Sequence, residues 1–581
     1  MKNKKDVVTF CWDIGILILT FIISNICITT FLQFANVKMS SLNVIISIIT
    51  SILIFLFLRR DILKEKIVKI ILEIIFVSII VIVCTLIAGL FLDMTCDGNY
   101  YHKTAIGAIK EGWNPVYESS YDFNLENNLD MADQKSSLWM DHYPKMTWNF
   151  AASMYALTNN IESGKCLIFL LMISLCCLAF SYLYERHLNF IFSGVIAVLL
   201  VFNPITCAQL SSYYVDGIMG LLIYMTILFL ICITDKKFTE ISECEKWLGL
   251  SASIILCMNV KFTGIFFEAI FCIAFYLVWI FRYIKGKNIK EKEVKNNILR
   301  LTLIFASIVV VGIVVVGEST YVKNMIEHKS PLYPLICEDK VDIITTMQPK
   351  SFGEKNRFIK LFESVFSRSE NVTYYSGDEP QLKVPFSVSD SEKNNISIPD
   401  LRIGGFGVYY SGIVIISIFV ICVGMYILYK KQGNVFLYCM TILVAIVLTT
   451  LILDEAWWAR YSPQLWLLPV IALFVIFYNN NNVSIKQLRF INLFIGALLT
   501  ILIIVNNLMF IKWRVNDLRI SINIIEEVKR ISNENTSVEL GLIDKSRFGI
   551  LYNLNDNKLN YKLVEYKEDM KNFFYNNWIG Y

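Results

Sequence analysis

Long apolar runs separated by short polar breaks dominate the chain. A run of about 20 apolar residues is the length that crosses a bilayer as a helix. Such runs fall at about 13 places, over 13–33, 41–58, 68–92, 166–183, 188–203, 217–234, 246–260, 263–281, 299–317, 408–429, 433–453, 461–478 and 489–510. The fifth and seventh are short for a span. Two polar interruptions are long, 93–165 and 318–407, and a polar tail follows residue 510. The pattern predicts an all-α polytopic membrane domain over 1–510 and a small domain over 511–581. In that tail NIIEEVKR reads as a helix, and SVELGLI, FGILYNL and YKLVEY read as strands, which makes the appendage α/β.

Composition agrees with the runs. The 581 residues are 56% hydrophobic and 18% charged, against about 25% charged in soluble domains. Most of the fifteen Cys lie inside apolar runs, where Cys serves as a small hydrophobe, so no disulfide framework is expected. The first run has no small-residue cleavage site behind it and reads as a retained helix.

Charge sets the expected orientation. Lys and Arg collect in short cytoplasmic loops. With the N-terminus inside, KNKK, RRDILKEKIVK from Arg59, DKK at Asp235, the basic stretch from Phe281 and YKKQ at Tyr429 all fall on one side. Both long loops and the C-terminal tail fall outside. The basic loops are short and hold no Walker or dinucleotide fingerprint, which argues against a cytosolic nucleotide substrate. A net charge of +4 over the whole chain gives no reason to expect a nucleic-acid partner.

Every candidate for chemistry therefore lies on the outer side. Asp93 and Asp97 sit where the third run leaves the membrane, in DMTCDGNYYHKTAIGAIKEGWNP. After Tyr101 and His102, the spacing of Ala105, Ile106, Ile109 and Trp113 predicts a short helix lying on the membrane. DHYPKMTWNF begins a second amphipathic segment, and His142 and Lys145 at its entry are candidate contacts to a lipid phosphate. Asp216 opens the sixth run, where an acid is also a good helix cap. Lys261 lies in a turn of very few residues, as a phosphate contact or a snorkelling Lys. In DEAWWARYSPQLW, Arg460 suits a phosphate, and Trp457 and Trp458 suit a sugar face or the interfacial aromatic belt. Arg402, in DLRIGGFGVYY, is a candidate anion contact, and Gly404, Gly405 and Gly407 allow close backbone packing.

The first outer loop resembles that of the multispanning GT-C glycosyltransferases, a class that includes the protein O-mannosyltransferases and the lipid A aminoarabinose transferases. That loop typically opens with an Asp past a helix, a Tyr four residues on, and a Gly eleven residues after the Tyr with Trp close behind. Asp97, Tyr101, Gly112 and Trp113 occupy those places. It continues with a Lys- or His-headed Pro-Pro motif and a Trp four residues after the second Pro. Here HYPKMTW has Pro144 and Trp148 at that spacing, with Tyr143 in place of the first Pro. The acid that usually follows the opening Asp is replaced by Gly98.

The resemblance implies a GT-C fold and a sugar donor carried on a polyprenyl phosphate. It implies an inverting transfer to a hydroxyl of a cell-envelope glycan, lipid or protein, with Asp97 as general base and Asp93 second. It makes Asp216 the second carboxylate, toward acceptor or metal. Lys145, His142, Lys261, Arg460 and Arg402 become candidates for the donor phosphate or lipid, and Tyr101, His102, Trp113, Trp457 and Trp458 for sugar contact or positioning. Members of the class differ in metal use, so a divalent cation stays open. The competing readings are a transporter or flippase of a lipid-linked sugar, and a polysaccharide polymerase or ligase. Ionisable residues well inside the spans, which coupled transport usually needs, are few.

Overall fold

The computed structural model describes residues 4–61, 63–127, 134–285, 291–338, 340–369, 379–431, 433–480, 486–534, 537–542, 547–566, 570, 572–573 and 579–580. In hydrocarbon each backbone polar group must be satisfied within its own segment, so the apolar runs become helices. The principal helices are α1 (Lys4–Phe34), α2 (Ser41–Leu58), α3 (Leu63–Gly89), α4 (Lys103–Glu111), α5 (Met146–Thr158), α6 (Cys166–Arg186), α7 (Phe190–Val201), α8 (Asp216–Thr234) and α9 (Glu243–Met258). They continue with α10 (Phe262–Lys285), α11 (Glu291–Val310), α12 (Arg357–Phe366), α13 (Tyr410–Lys430), α14 (Asn434–Ile452), α15 (Leu467–Asn480), α16 (Lys486–Glu534) and α17 (Gly549–Asp556).

Among the described residues, eleven helices are long and apolar enough to cross a membrane. The two remaining expected spans are the short ones, α7 with 12 residues and α9 with 16. Even so, α9 joins the two ends of the bundle. Glu245 in its first turn accepts from Arg59 Nη2 at 2.8 Å and from Trp12 Nε1 at 3.0 Å. The ion pairs Lys5–Glu240 (2.6 Å) and Arg186–Asp235 (2.8 Å) belong to the same basic loops. At the other end of α9, the Met258 carbonyl accepts from the Tyr321 hydroxyl.

Helices α8, α15 and α1 are the most buried of the spans. With lipid outside, association depends on close contact and polar glue rather than water exclusion. A Cβ on Gly15 would lie 2.6 Å from Leu178 Cγ of α6, so a larger residue there would hold the helices apart. Ser174 and Ser181 donate to the Gly15 and Val8 carbonyls at 2.7 and 2.8 Å. Helices α2, α3 and α14 turn much of their apolar surface outward. Among the described residues no Cys is in a disulfide.

The loop after α3 is pinned by buried ions. The Glu162 carboxylate pairs with Lys165 at 2.7 Å and Lys103 at 3.3 Å, and accepts from the Asp93 amide at 3.1 Å and Asn553 Nδ2 at 2.8 Å. Lys103 also donates to Asn553 Oδ1 at 2.6 Å. The appendage is thereby locked onto the first outer loop.

Three expectations change here. Helix α4 forms, but it does not lie on the membrane: Lys103 through Ile109 are all buried, because α5 covers one side and α17 packs against another. FGILYNL is not a strand. Its residues form α17, whose Ile550, Leu551 and Leu554 fall at helical spacing and are buried, and a Cβ on Gly549 would meet the Asn99 backbone at 2.8 Å. Helix α16 runs unbroken for 49 residues across position 510, roughly 70 Å at 1.5 Å per residue. The strands β1 (Val538–Leu542) and β2 (Tyr561–Val564) pair in parallel, Val538 opposite Tyr561, and β3 (Asn572–Phe573) and β4 (Ile579–Gly580) complete a sheet of order β2-β1-β4-β3.

Removing Glu162 would leave two buried ammonium groups without their partner, a cost of about 3–5 kcal/mol. Glu162→Ala is expected to lower the melting temperature of the purified protein and expose the tail to protease. An unchanged melting curve would show that the network does not hold the appendage.

Candidate active site

A cavity of about 1000 Å³ lies at the end of the bundle where the two long loops gather. Its walls come from the segment after α3, the start of α10, the loop between α11 and α13, and the link between α14 and α15.

Asp97 reaches it by a local backbone device. Just after it, Gly98–His102 makes a π-helical turn before α4 begins, the kind of irregularity that often marks functional sites. Gly98 is required there because a Cβ would collide with the Asp93 carboxylate. The missing acid of the sequence pattern thus has no room at 98. Asp93 fixes the turn: its Oδ1 accepts from the Thr95 amide and hydroxyl at 2.8 and 2.7 Å, and its Oδ2 from the Tyr213 amide at 2.7 Å. It does not line the cavity. Gly112, with φ +124°, ends α4 in a conformation that L side chains rarely adopt.

Asp97 is different. It lines the cavity, is half-buried, and its carboxylate makes no hydrogen bond among the described residues. Burial pushes its pKa up to about 6, against the pull of Arg460 and Lys261 and with a further push from Asp400 and Asp216.

Beside it stands an ion cluster assembled from four segments. Asp216, at the first residue of α8, is fully buried and holds Lys261 Nζ on Oδ1 at 2.6 Å and Arg460 Nη1 on Oδ2 at 3.1 Å. Gln209 adds its side-chain amide: Nε2 donates to the same Oδ2 at 3.2 Å while Oε1 accepts from the Gly217 amide at 2.7 Å. Arg460 Nε lies 2.8 Å from Asp400 Oδ1, and Arg402 Nη2 lies 2.8 Å from Asp400 Oδ2. Burial raises the Asp400 carboxyl, but Arg460 and Arg402 outweigh it and hold the group below its usual range. Trp458 Nε1 donates to Asp400 at 3.0 Å. Aromatic faces cover the cations: Lys261 sits 3.5 Å from the Tyr461 ring centroid, and Arg460 lies 4.8 Å from that of Tyr214.

His102 closes one side. Its Nδ1 accepts from Trp148 Nε1 at 2.7 Å, which leaves the proton of the neutral ring on Nε2. Burial lowers its pKa to about 3, so the ring is neutral. Tyr101 packs on His102 with ring centroids 4.3 Å apart, and both line the cavity. Tyr143 contributes another aromatic wall.

No family model matches this chain, and no curated protein does. Two solved structures that resemble it are of ArnT from Cupriavidus metallidurans. In the apo state the likeness has 10% identity and a TM-score of 0.46, covering 85% of each chain. In the form bound to undecaprenyl phosphate it has 10% identity and a TM-score of 0.44, covering 85% of this chain and 86% of that one. Likeness of this degree assigns no chemistry to this chain, so the site is read from its own side chains.

Of the residues singled out in the sequence, Asp97, Tyr101, His102, Lys261, Arg402, Trp458 and Arg460 line this one cavity, and Asp216 lies behind two of them. The others do not. Lys145 Nζ is spent on the Asp141, Tyr143 and Ser319 carbonyls at 2.8, 3.0 and 3.1 Å, which ties the first outer loop to the second. Burial pulls its pKa down to about 7. Trp113 is buried and donates to the Glu118 carbonyl at 3.3 Å. Trp457 is buried against Phe352 and Trp458. His142 Nδ1 bonds Asn324 Oδ1 at 2.7 Å. Among the described residues, His142, Glu327 and His328 form the one group whose ligand atoms come within 4.8 Å of one another, the arrangement closest to a metal site. It lies outside the cavity wall, and burial, followed by Lys145, His328 and Lys323, opposes positive charge at His142.

Asp400 and Tyr214 were passed over in the sequence. The signal for Asp400 was its place two residues before Arg402, a spacing that lets one carboxylate hold its own neighbour and a distant Arg.

The raised pKa of Asp97 has a stability consequence. The folded state binds the Asp97 proton more tightly than the unfolded chain does. Its stabilising effect is full below the usual value of 3.8 and is lost as pH rises through about 6. At pH 7.5 the fold is therefore less stable than with the group protonated, by up to about 3 kcal/mol. Asp97→Asn is expected to raise the melting temperature at pH 7.5, whereas Asp93→Asn is expected to destabilise the protein by about 1–3 kcal/mol, because its amide keeps one acceptor oxygen and cannot serve both the Thr95 donors and the Tyr213 amide. Parallel thermal melts check both, and destabilisation by Asp97→Asn would mark it as a structural group.

Proposed function

We propose that the protein is a GT-C-type glycosyltransferase. In this reading it moves a sugar from a polyprenyl-phosphate donor to a hydroxyl of a cell-envelope glycan, lipid or protein on the outer membrane surface. The observation that carries the reading is Asp97: an unpaired carboxylate facing a large cavity at the outer end of the bundle, beside clustered cations.

The chemistry follows from the side chains. Asp97 removes the proton from the acceptor hydroxyl as its oxygen attacks the anomeric carbon. The C–O bond to the phosphate breaks with its electron pair going to the phosphate oxygen, and the configuration inverts. A positioned base of this kind contributes roughly 10²–10⁴-fold. A pKa of about 6 leaves Asp97 ionised at neutral pH yet more basic than an ordinary carboxylate.

The phosphate leaves without needing a proton, but it needs donors. Lys261 and Arg460 each carry a carboxylate on one side and line the cavity on the other. Arg460 Nη2 has no hydrogen-bond partner among the described residues and is the free donor of its fork. Fixed, water-poor donors of this kind stabilise developing charge more effectively than mobile ones. The aromatic walls Tyr101, Tyr143 and Trp458 offer flat faces for a sugar ring. His102 presents a neutral N–H that donates to a sugar hydroxyl without competing for the acceptor's proton.

The Lys-, Asn- and Ile-rich composition favours a bacterial envelope and undecaprenyl phosphate as the carrier. The test is surface-glycan composition by mass spectrometry in cells with wild-type protein, a deletion, and Asp97→Asn at equal protein level. One sugar is expected to disappear in both mutants, and its identity names the substrate. Loss in the deletion alone would exclude Asp97 as the base and bring transport forward.

A further inference from the structure

Helix α12, RFIKLFESVF, is amphipathic in the opposite sense to a water-washed helix. Its polar stripe faces the protein. Arg357 Nη2 pairs with Asp454 at 2.7 Å and its Nη1 donates to the Leu451 carbonyl. Lys360 Nζ donates to Gln348 at 3.0 Å, and Ser364 Oγ donates to the Trp457 carbonyl. These residues are spaced i, i+3, i+7 and share one face. Leu361, Val365 and Phe366 pack against the bundle core. What remains outward is Phe358, Ile359 and Phe362, exposed by 60, 44 and 56%. A surface helix in water turns its charges out.

The place where α12 hangs identifies what covers it. Arg357 ties it to the last turn of α14 and the link just beyond. The outward face of α14 is Val444, Val447, Leu448 and Ile452, the apolar face of a candidate membrane span. Arg357 thus sets the α12 patch beside the end of that apolar face. Phe358 and Ile452 also line the cavity, and so do Arg357 and Lys360. The mouth of the site is therefore framed by lipid-facing residues, with cations at its rim.

We propose that α12 lies in the interfacial layer of the bilayer, with Phe358, Ile359 and Phe362 inserted among phospholipid acyl chains. It frames the cavity mouth, whose lining includes Phe266 of α10 and Ile452 of α14. An amphiphile with an anionic headgroup then enters sideways, its headgroup passing Arg357 and Lys360 while its chain stays in the bilayer. The identity of that amphiphile rests on the transferase reading, whereas the embedding of α12 does not. Interfacial helices of this type bind through buried apolar area plus attraction to anionic lipid.

The test places a benzophenone amino acid at Phe362 in the full chain, reconstituted in vesicles of phosphatidylcholine and phosphatidylglycerol. The same substitution at Leu448 of α14 is the reference for lipid contact, and at Lys529, far along α16, the reference for water. After irradiation, intact mass is expected to show a phospholipid adduct at 362 and 448 and none at 529. Adducts at 448 without any at 362 would overturn the proposal. So would a cross-link from 362 to a second copy of the chain, since that would make the patch a dimer contact. Repeating the measurement on Asp97→Asn separates the two claims: the adduct persists there whether or not the transferase reading holds.

Discussion

One buried carboxylate organises the end of the bundle that holds the cavity. Asp216 sits at the head of α8, fully enclosed, and binds Lys261 and Arg460 at once. Lys261 belongs to the turn between α9 and α10, and Arg460 to the link between α14 and α15. Three parts of the bundle that are distant in sequence are thus joined through one side chain. Arg460 extends the chain of charges to Asp400, and Asp400 holds Arg402 in the loop before α13. Buried charges of this kind are costly unless every partner is present, so the cluster exists only when the bundle is fully assembled. The catalytic geometry proposed for Asp97 depends on it, because Arg460 and Lys261 keep the Asp97 pKa from rising further.

Asp93 and Asp97 illustrate how two like residues acquire different work. They are four positions apart at the same membrane exit. Asp93 points back into the protein, meets three donors and shapes the turn. Asp97 points into the cavity and meets none. The second is the less favourable place for a charge, which is why burial raises its pKa.

Much of this was legible in the sequence, for definable reasons. Apolar runs of bilayer length announce helices because hydrocarbon admits no other solution. The two runs too short for confident spans are the helices that fall below spanning length, α7 and α9. Asp97, Tyr101 and His102 stood out because a carboxylate, an aromatic and an imidazole cluster at one membrane exit. What was not legible depends on neighbours far along the chain. Helix α4 reads as an interfacial helix until the tail is placed over it, and Lys103 meets Asn553 across 450 residues. Lys145 reads as a surface cation until the Ser319 carbonyl takes its ammonium. FGILYNL is as compatible with a strand as with a helix, and only its seat on the first outer loop decides. Helix α12 is a ten-residue segment within a long polar loop, where the direction of its faces has no meaning until Asp454, Gln348 and Trp457 are placed beside it.

The central claim is that Asp97 acts as a base and not as a binding group. The most direct test is the single-turnover rate of sugar transfer against pH, with the purified protein in vesicles containing the glycosylated polyprenyl phosphate identified from the envelope analysis. The account predicts that the rate rises as pH increases through about 6, as Asp97 loses its proton. It also predicts that Asp97→Asn abolishes transfer while donor affinity is retained. A rate that keeps its full value in Asp97→Asn, or a variant that loses transfer only because it no longer binds donor, would contradict it.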